Sequence, residues 1–362
     1  MERNKQMKSH PYEKLEPSNF WRATVSNHSW NEIKFKPNVR FQIAGSEKII
    51  TAGSCFAQHI AKNLKNLGFQ HHVTELPPNF LSPERAVELQ YGIFSARYGN
   101  IYTVRQLRQL LEFSFELKVT EPLIQKDNNK IYDLLRPNLS DSPYESIEEY
   151  NCDRRYHLDC VKSAFLEADV FIFTLGLTEY WFDFPSDTVF PVCPGTKFGK
   201  FDPDRHKFAV SDYHEIVSDL QWCIDFGKHV NPNLKWIFTV SPVALAATAQ
   251  DQNIILATCS AKSLLRAVVE SAYQKNQHCE YFPSFEITSY VANMGKYLEP
   301  DLRNINENGV NHAMQAFKSM FQFGSSVIGN GGEPKIDLNA QIAKLAQTEC
   351  DEIFNDPKIH KF

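Results

Sequence analysis

The segment Asp169-Val-Phe-Ile-Phe-Thr-Leu-Gly176 restricts the fold of this chain most. It is an almost unbroken apolar run with a helical pattern (Leu158, Val161, Phe165) directly before it. Such a run suits a strand covered on both faces, the position of an inner strand in a parallel sheet. The same alternation recurs elsewhere. Lys48-Ile-Ile-Thr-Ala52 reads as a short buried strand, and Gly53-Ser54 breaks it before Phe56, Ala57, Ile60, Ala61, Leu64 and Leu67 recur at helical spacing. Gly68 stops that helix, and Phe69 to Val73 is the next expected strand. Asp212-Tyr-His-Glu215 is a capping-box pattern opening a helix through Ile216, Leu220, Ile224 and Phe226, ahead of the strand Leu234 to Val240. A further helical pattern (Ile255, Leu264, Leu265, Ala267, Val268) leads to a strand over Cys279 to Pro283. Strands interleaved with helices in this way predict an α/β fold, a three-layer, doubly wound parallel sheet.

Three segments fall outside that alternation. Residues 1–45 are polar and irregular and read as a lead-in that wraps the surface. Residues 76–157, with Pro77-Pro78, a helical pattern over 104–117 and a polar stretch from Asp127 to Glu149, read as an insertion covering the sheet's edge or mouth. Residues 326–362 read as a terminal helix and tail, which leaves 46–325 as the main domain.

Composition then limits the partners. Lys and Arg total 38 against 43 Asp and Glu, a net charge of −5, and no block of like charge is long enough to follow a phosphate backbone, so nucleic acid is not an expected partner. No stretch approaches 18 apolar residues, and the segment Met1 to His10 lacks the apolar core of a signal peptide. A chain with no membrane span, located in the cytoplasm, is the expectation. The 8 cysteines are scattered without a Cys-x-x-Cys pair and read as free thiols. Neither Cys152/Cys160 nor His71/His72 has the spacing of a metal site, so no metal and no cofactor are expected.

In doubly wound sheets ligands bind beyond the carboxyl ends of the strands, so the chemistry is sought there. Ser54 stands in the turn from the first strand to the first helix. It can serve either as a nucleophile with nearby N–H groups for an oxyanion, or simply as a helix N-cap. Its neighbour Cys55 is either a thiol activated by the helix N-terminus or a small core residue. Gly176-Leu-Thr-Glu179 ends the central strand, with Thr178 a possible donor and Glu179 a possible carboxylate ligand; a turn followed by a solvated acid is the plainer alternative. Asp301-Leu-Arg-Asn304 offers a carboxylate and an amide ahead of the helical pattern Val310, Met314, Phe317, or else a loop ending in an N-cap.

The sequence Thr51-Ala-Gly-Ser-Cys-Phe-Ala-Gln-His-Ile60 resembles the signature of the GSCFA-domain family, a branch of the SGNH (GDSL-like) hydrolase superfamily. The resemblance continues through Phe94-Ser-Ala-Arg-Tyr-Gly-Asn-Ile-Tyr102, Thr174 to Glu179, Cys193-Pro-Gly-Thr196, Thr239-Val-Ser-Pro-Val243, Ala261-Lys-Ser-Leu-Leu-Arg266 and Tyr281-Phe-Pro-Ser-Phe-Glu286. It implies a flavodoxin-like SGNH hydrolase fold with Ser54 at the nucleophile position. Gly53, Cys55, Gly176, Thr178 and Glu179 would then be the oxyanion or substrate-binding residues. Thr178 replaces the Asn usual in the superfamily's Gly-x-Asn-Asp block. The superfamily's Asp-x-x-His block corresponds to Asp301 and Asn304, so Asn304 stands where the catalytic histidine is expected.

That departure bears on mechanism, because an amide cannot accept the serine proton at neutral pH. His312 is eight residues further on, two helical turns or roughly 12 Å away at a rise of about 1.5 Å per residue, too far for simple replacement; it and His59 read as packed or surface residues. Two functions follow. The first is a serine esterase or acyltransferase acting through a Ser54 acyl-enzyme on a small-molecule or glycan acyl substrate, such as an O-acylated sugar. The second is a binding or scaffold protein that keeps the pocket and has lost turnover at Asn304. An imidazole within hydrogen-bond reach of Ser54 would favour the first, and its absence the second. If general-base catalysis is the only missing element, Asn304→His is expected to raise hydrolysis about 10²-fold to 10⁴-fold. The sequence leaves the oligomeric state open.

Overall fold

The computed structural model describes residues 10–35 and 38–322, so the helix and tail expected over 326–362 lie outside the described residues. In chain order the regular elements are β1 (Lys48–Gly53), α1 (Cys55–Leu64), β2 (Gln70–His71), α2 (Pro83–Glu88), α3 (Val104–Ser114), β3 (Ile124–Asp127), β4 (Lys130–Asp133) and α4 (Ile147–Glu167). They continue as β5 (Val170–Leu175), β6 (Glu179–Asp183), β7 (Thr188–Phe190), β8 (His206–Val210), α5 (Tyr213–Val230), β9 (Lys235–Val240), α6 (Ile254–Lys275), β10 (Cys279–Tyr281), α7 (Ser284–Ser289) and α8 (Glu307–Phe321).

The main sheet has the order β2-β1-β5-β9-β10, and every pairing in it is parallel. Counting only its own strands, this is the 2-1-3-4-5 order of flavodoxin-like folds, and the order reverses between β1 and β5. Both strands are buried along almost their whole length, which accounts for the continuous apolar runs in the sequence. Alternate residues serve opposite faces. Ile50, Phe171, Phe173, Trp236 and Phe238 face α4, α5 and α6, while Ile49, Val170, Ile172 and Ile237 face α1 and α8. The Asp212–Glu215 capping box forms as the sequence indicates, with both reciprocal bonds present.

The structure differs from the sequence reading in several places. Pairing in the second strand is confined to Gln70 and His71, because β2 is an edge strand with one neighbour. The polar stretch after Asp127 contains the hairpin β3–β4, whose two-residue turn places Asn128 and Asn129 at positive φ, a conformation Asn tolerates. α4 begins at Ile147, capped by Ser146, and runs across position 157. Residues 94–111 belong to the central core itself, where Phe94, Ile101, Leu107 and Leu111 pack with β1 and β5. Residues 179–210 form a second, antiparallel sheet of order β7-β6-β8 that rises from the carboxyl end of β5. Its sequence signal was the aromatic and β-branched clustering of Glu179 to Phe184 and Thr188 to Val192. No helix among the described residues is long and apolar enough to cross a membrane.

Candidate active site at the switch point of the sheet

Ser54 follows β1 directly and occupies the N-cap position of α1, where its backbone is extended at φ −72° and ψ −179°. The chain reaches that position through Gly53, at φ +139°, where a Cβ would stand 2.4 Å from the Thr174 carbonyl oxygen of β5. Only glycine fits so close an approach of two backbones. Gly176, just past β5, is the other wall: a Cβ there would lie 2.9 Å from the Ser54 Cβ and 3.1 Å from the Tyr102 carbonyl oxygen. Ser54 and Gly176 are therefore in contact at the point where the strand order reverses, the place a doubly wound sheet offers to ligands.

The hydroxyl of Ser54 does not cap its helix. Its Oγ is buried and has no hydrogen-bond partner among the described residues. The segment Asn100–Tyr102 lies across the turn and covers it. The Ile101 N–H donates to the Gly53 carbonyl at 2.8 Å, and the Gly176 and Leu177 N–H groups donate to the Tyr102 carbonyl at 3.0 and 2.9 Å. Side chains fix the segment further: Gln58 Nε2 donates to Asn100 Oδ1 at 2.9 Å, and Gln106 Nε2 donates to the Asn100 carbonyl at 3.0 Å. The Ser54 N–H itself donates to the Thr174 carbonyl at 3.1 Å. The Ser54, Gly176 and Leu177 N–H groups are thus all engaged, whereas an oxyanion hole needs donors aimed at the ligand.

Cys55 turns into the apolar core with Phe56 and Ile60. Thr178 is buried, and its carbonyl accepts the Ser211 N–H at 2.8 Å. Glu179 opens β6, and its Oε2 accepts from Thr248 Oγ1 and Gln250 Nε2, both at 2.7 Å. Lys262, also buried, donates to the Gly176 carbonyl at 2.8 Å. Arg266 and Glu286 form an ion pair with each other at 2.8 Å.

The loop Asp301–Asn304 is tied to the rim of the sheet by Arg303 Nε, which donates at 3.0 Å to the Ala244 carbonyl beyond β9. Within the loop Asp301 Oδ1 accepts the N–H groups of Arg303 and Asn304 at 2.9 and 3.0 Å, and the Asn304 amide donates to Oδ2 at 2.5 Å. Partial burial raises the Asp301 pKa, but these donors outweigh it and hold the carboxyl below its ordinary value. The loop therefore pairs a carboxylate with an amide. Neither residue bonds to Ser54 Oγ.

No imidazole among the described residues hydrogen-bonds Ser54 Oγ either. His59 packs beside Phe56, and burial, then Lys62, pulls its pKa down to about 4. His312 Nδ1 pairs with the Tyr297 hydroxyl at 2.9 Å. His71 Nε2 pairs with Thr51 Oγ1 at 3.3 Å and Ser95 Oγ at 3.4 Å. No group of three or more His, Cys, Asp or Glu residues among those described could hold a metal ion.

Beside the covered serine opens a cleft of about 290 Å³ between the main sheet's rim and the antiparallel sheet. Tyr102, Leu177, Trp181, Phe190 and Phe208 give it an apolar wall, and Glu179 supplies a carboxylate. Tyr102 belongs to both features, its carbonyl sealing the Ser54 turn and its residue lining the cleft.

The sequence profile of the GSCFA family matches residues 48–317, from the first residue of β1 into α8. The chain belongs to the GSCFA family. The match includes Ser54, the Gly176–Glu179 turn and the Asp301–Asn304 loop of this GSCFA chain. Comparison with curated proteins gives no match. Among solved structures, the Clostridium thermocellum family 3 carbohydrate esterase is similar over 77% of the GSCFA chain and 95% of its own, at 10% identity and a TM-score of 0.31. So distant a likeness carries no argument about activity.

Proposed function

We propose that this GSCFA-family chain is a binding protein built on an SGNH-like frame, with Ser54 hydrolysis impaired. Its ligand is a small acyl ester or O-acylated sugar held in the cleft beside the switch point. The observation that carries this reading is the state of Ser54: its Oγ is buried without a partner among the described residues while Asn304 gives its amide to Asp301. Nucleophilic catalysis by serine needs a base at the hydroxyl and donors for the oxyanion, and loss of one such member removes most of the rate. The cleft supports the ligand class, since aromatic walls accept the apolar faces of a sugar or acyl group and Glu179 accepts hydroxyl donors.

One observation favours the second reading, a serine esterase or acyltransferase forming a Ser54 acyl-enzyme. Ser54 stands at a helix N-terminus with its hydroxyl unspent on capping, where the helix dipole favours developing negative charge. Chromophore release from p-nitrophenyl acetate separates the two, measured on the native chain and on Ser54→Ala. Equal rates in both proteins, together with saturable binding of an O-acetylated sugar, support the binding reading. A burst present only in the native chain overturns it in favour of the acyl-enzyme.

A further inference from the structure

A second polar centre lies away from Ser54, where α4 meets the segment around β4. Glu75, Arg97, Asp133, Arg136 and His157 are all buried there. Glu75 Oε1 accepts from Arg97 Nε at 2.7 Å, and its Oε2 pairs with His157 Nδ1 at 2.7 Å. Arg136 donates through Nε to Asp133 Oδ2 at 2.8 Å, and through Nη2 to Asp153 Oδ2 at 2.9 Å and the Tyr144 hydroxyl at 3.0 Å. Two nitrogens in this network are buried without a partner among the described residues, Arg136 Nη1 and His157 Nε2. The side chains that carry them are each only 1% exposed. Leaving such groups unpaired is costly, by about 1–3 kcal/mol for an ordinary buried polar group and more for a charged one.

Both residues line one cavity of about 40 Å³. That is more than the roughly 10–15 Å³ a single water requires. The cavity lining includes the basic side chains of Arg136, Arg154 and His157, the phenol of Tyr98, held neutral by burial, and the amides of Gln106 and Gln109; Glu75, Asp133 and Asp153 stand outside the lining. The Arg154 guanidinium lies 5.9 Å from the centre of the Phe113 ring and is half-buried. The cavity shares Gln106 and Pro191 with the large cleft.

We propose that this cavity is a binding site for a small carboxylic acid of about the size of formate. Glu75 at Nδ1 fixes the imidazole as the tautomer whose Nε2 bears a lone pair, so the two buried unpaired atoms are a donor, Arg136 Nη1, and an acceptor, His157 Nε2, with the Arg154 guanidinium adding positive charge to the same lining. A carboxyl group answers both, one oxygen accepting from the guanidinium and the other, as its hydroxyl, donating to Nε2. Formate arrives as the anion and takes up one proton from solvent, held between its oxygen and Nε2; no covalent bond forms or breaks. Glu75, Tyr98, Arg136 and Arg154 are the titratable and charged groups that face His157, and Arg97 acts on it through Glu75. Chloride accepts from Arg136 and leaves Nε2 unanswered. The site is independent of Ser54 and of whether the chain turns over esters.

The test is calorimetric titration of the full chain with sodium formate at constant ionic strength, in two buffers of different ionisation heat, with sodium chloride as the comparison anion. Saturable 1:1 binding in the millimolar range is expected, as suits so small a ligand. It should come with uptake of about one proton and weaken about tenfold or more in Arg154→Gln. His157→Gln should abolish it, and Arg154→Gln keeps the test decisive if the His157 variant fails to fold. Absence of saturable heat, which would mean a cavity holding water only, overturns the proposal. Equal binding of chloride, absence of proton uptake, or unchanged affinity in Arg154→Gln does the same.

Discussion

Tyr102 lays its carbonyl oxygen 3.0 Å from the Gly176 N–H, closing the turn in which Ser54 stands. A segment more than 40 residues from either strand end thereby consumes the donor that would face a ligand at the switch point. The Ser54 hydroxyl is left inside with no partner among the described residues.

Ser54→Ala removes a buried hydroxyl that has no partner among the described residues. Losing an unsatisfied polar group relieves a desolvation cost, so the variant is expected to be as stable as the native chain or more stable by about 1 kcal/mol. Urea denaturation midpoints check this. A loss of more than about 1 kcal/mol would mean that the hydroxyl has a partner in solution.

Asn304→His restores an imidazole beside Asp301 but opens neither the Ser54 turn nor the engaged N–H groups. Its gain in ester hydrolysis should therefore stay below the roughly 10²-fold lower bound for a fully formed general base. Initial rates on a chromogenic ester settle the point. A Ser54-dependent gain above that bound would show that the Asn100–Tyr102 segment moves aside freely.

Gly53→Ala and Gly176→Ala should both destabilise, and in a fixed order. At Gly176 the new methyl meets the Ser54 Cβ at 2.9 Å, an overpacking cost of about 1–3 kcal/mol. At Gly53 it meets the Thr174 carbonyl oxygen at 2.4 Å with φ at +139°, so strain adds to the clash and the loss is greater. Thermal melts of the two variants side by side give the ranking.

His59 and His71 are both held near pKa 4, chiefly by burial. Their folded values lie below the unfolded value of about 6.5, so the stability they contribute is present above pH 6.5. It is lost as pH falls towards 4, because the unfolded chain takes up the protons first. Denaturation at stepped pH should show stability declining across that window, with a shallower decline in His71→Gln. An unchanged slope in that variant would mean that His71 is charged in the fold.

How much of this was legible in the sequence depends on the distance over which each feature is encoded. The buried strands could be read from their apolar runs, and the capping box at Asp212 from four adjacent residues, because local periodicity and capping chemistry determine both. The turn at Gly53-Ser54 was legible for the same reason, whereas Asp301 and Asn304 were singled out through the family resemblance, and the hydrogen bond between them is a finding of the structure. The N-cap alternative for the Ser54 hydroxyl was reasonable on frequency, yet the hydroxyl caps nothing.

The sequence by itself determined the layered parallel architecture and the residues brought to its carboxyl rim, since a strand buried on both faces and a helix with one apolar face each carry their own period. Only the tertiary structure decided that Asn100–Tyr102 covers Ser54, that β6, β7 and β8 raise an aromatic wall beside it, and that Arg136 and His157 share a buried cavity. Those outcomes depend on hydrogen bonds and packing between segments tens of residues apart, and no local pattern along the chain records which backbone will lie across which.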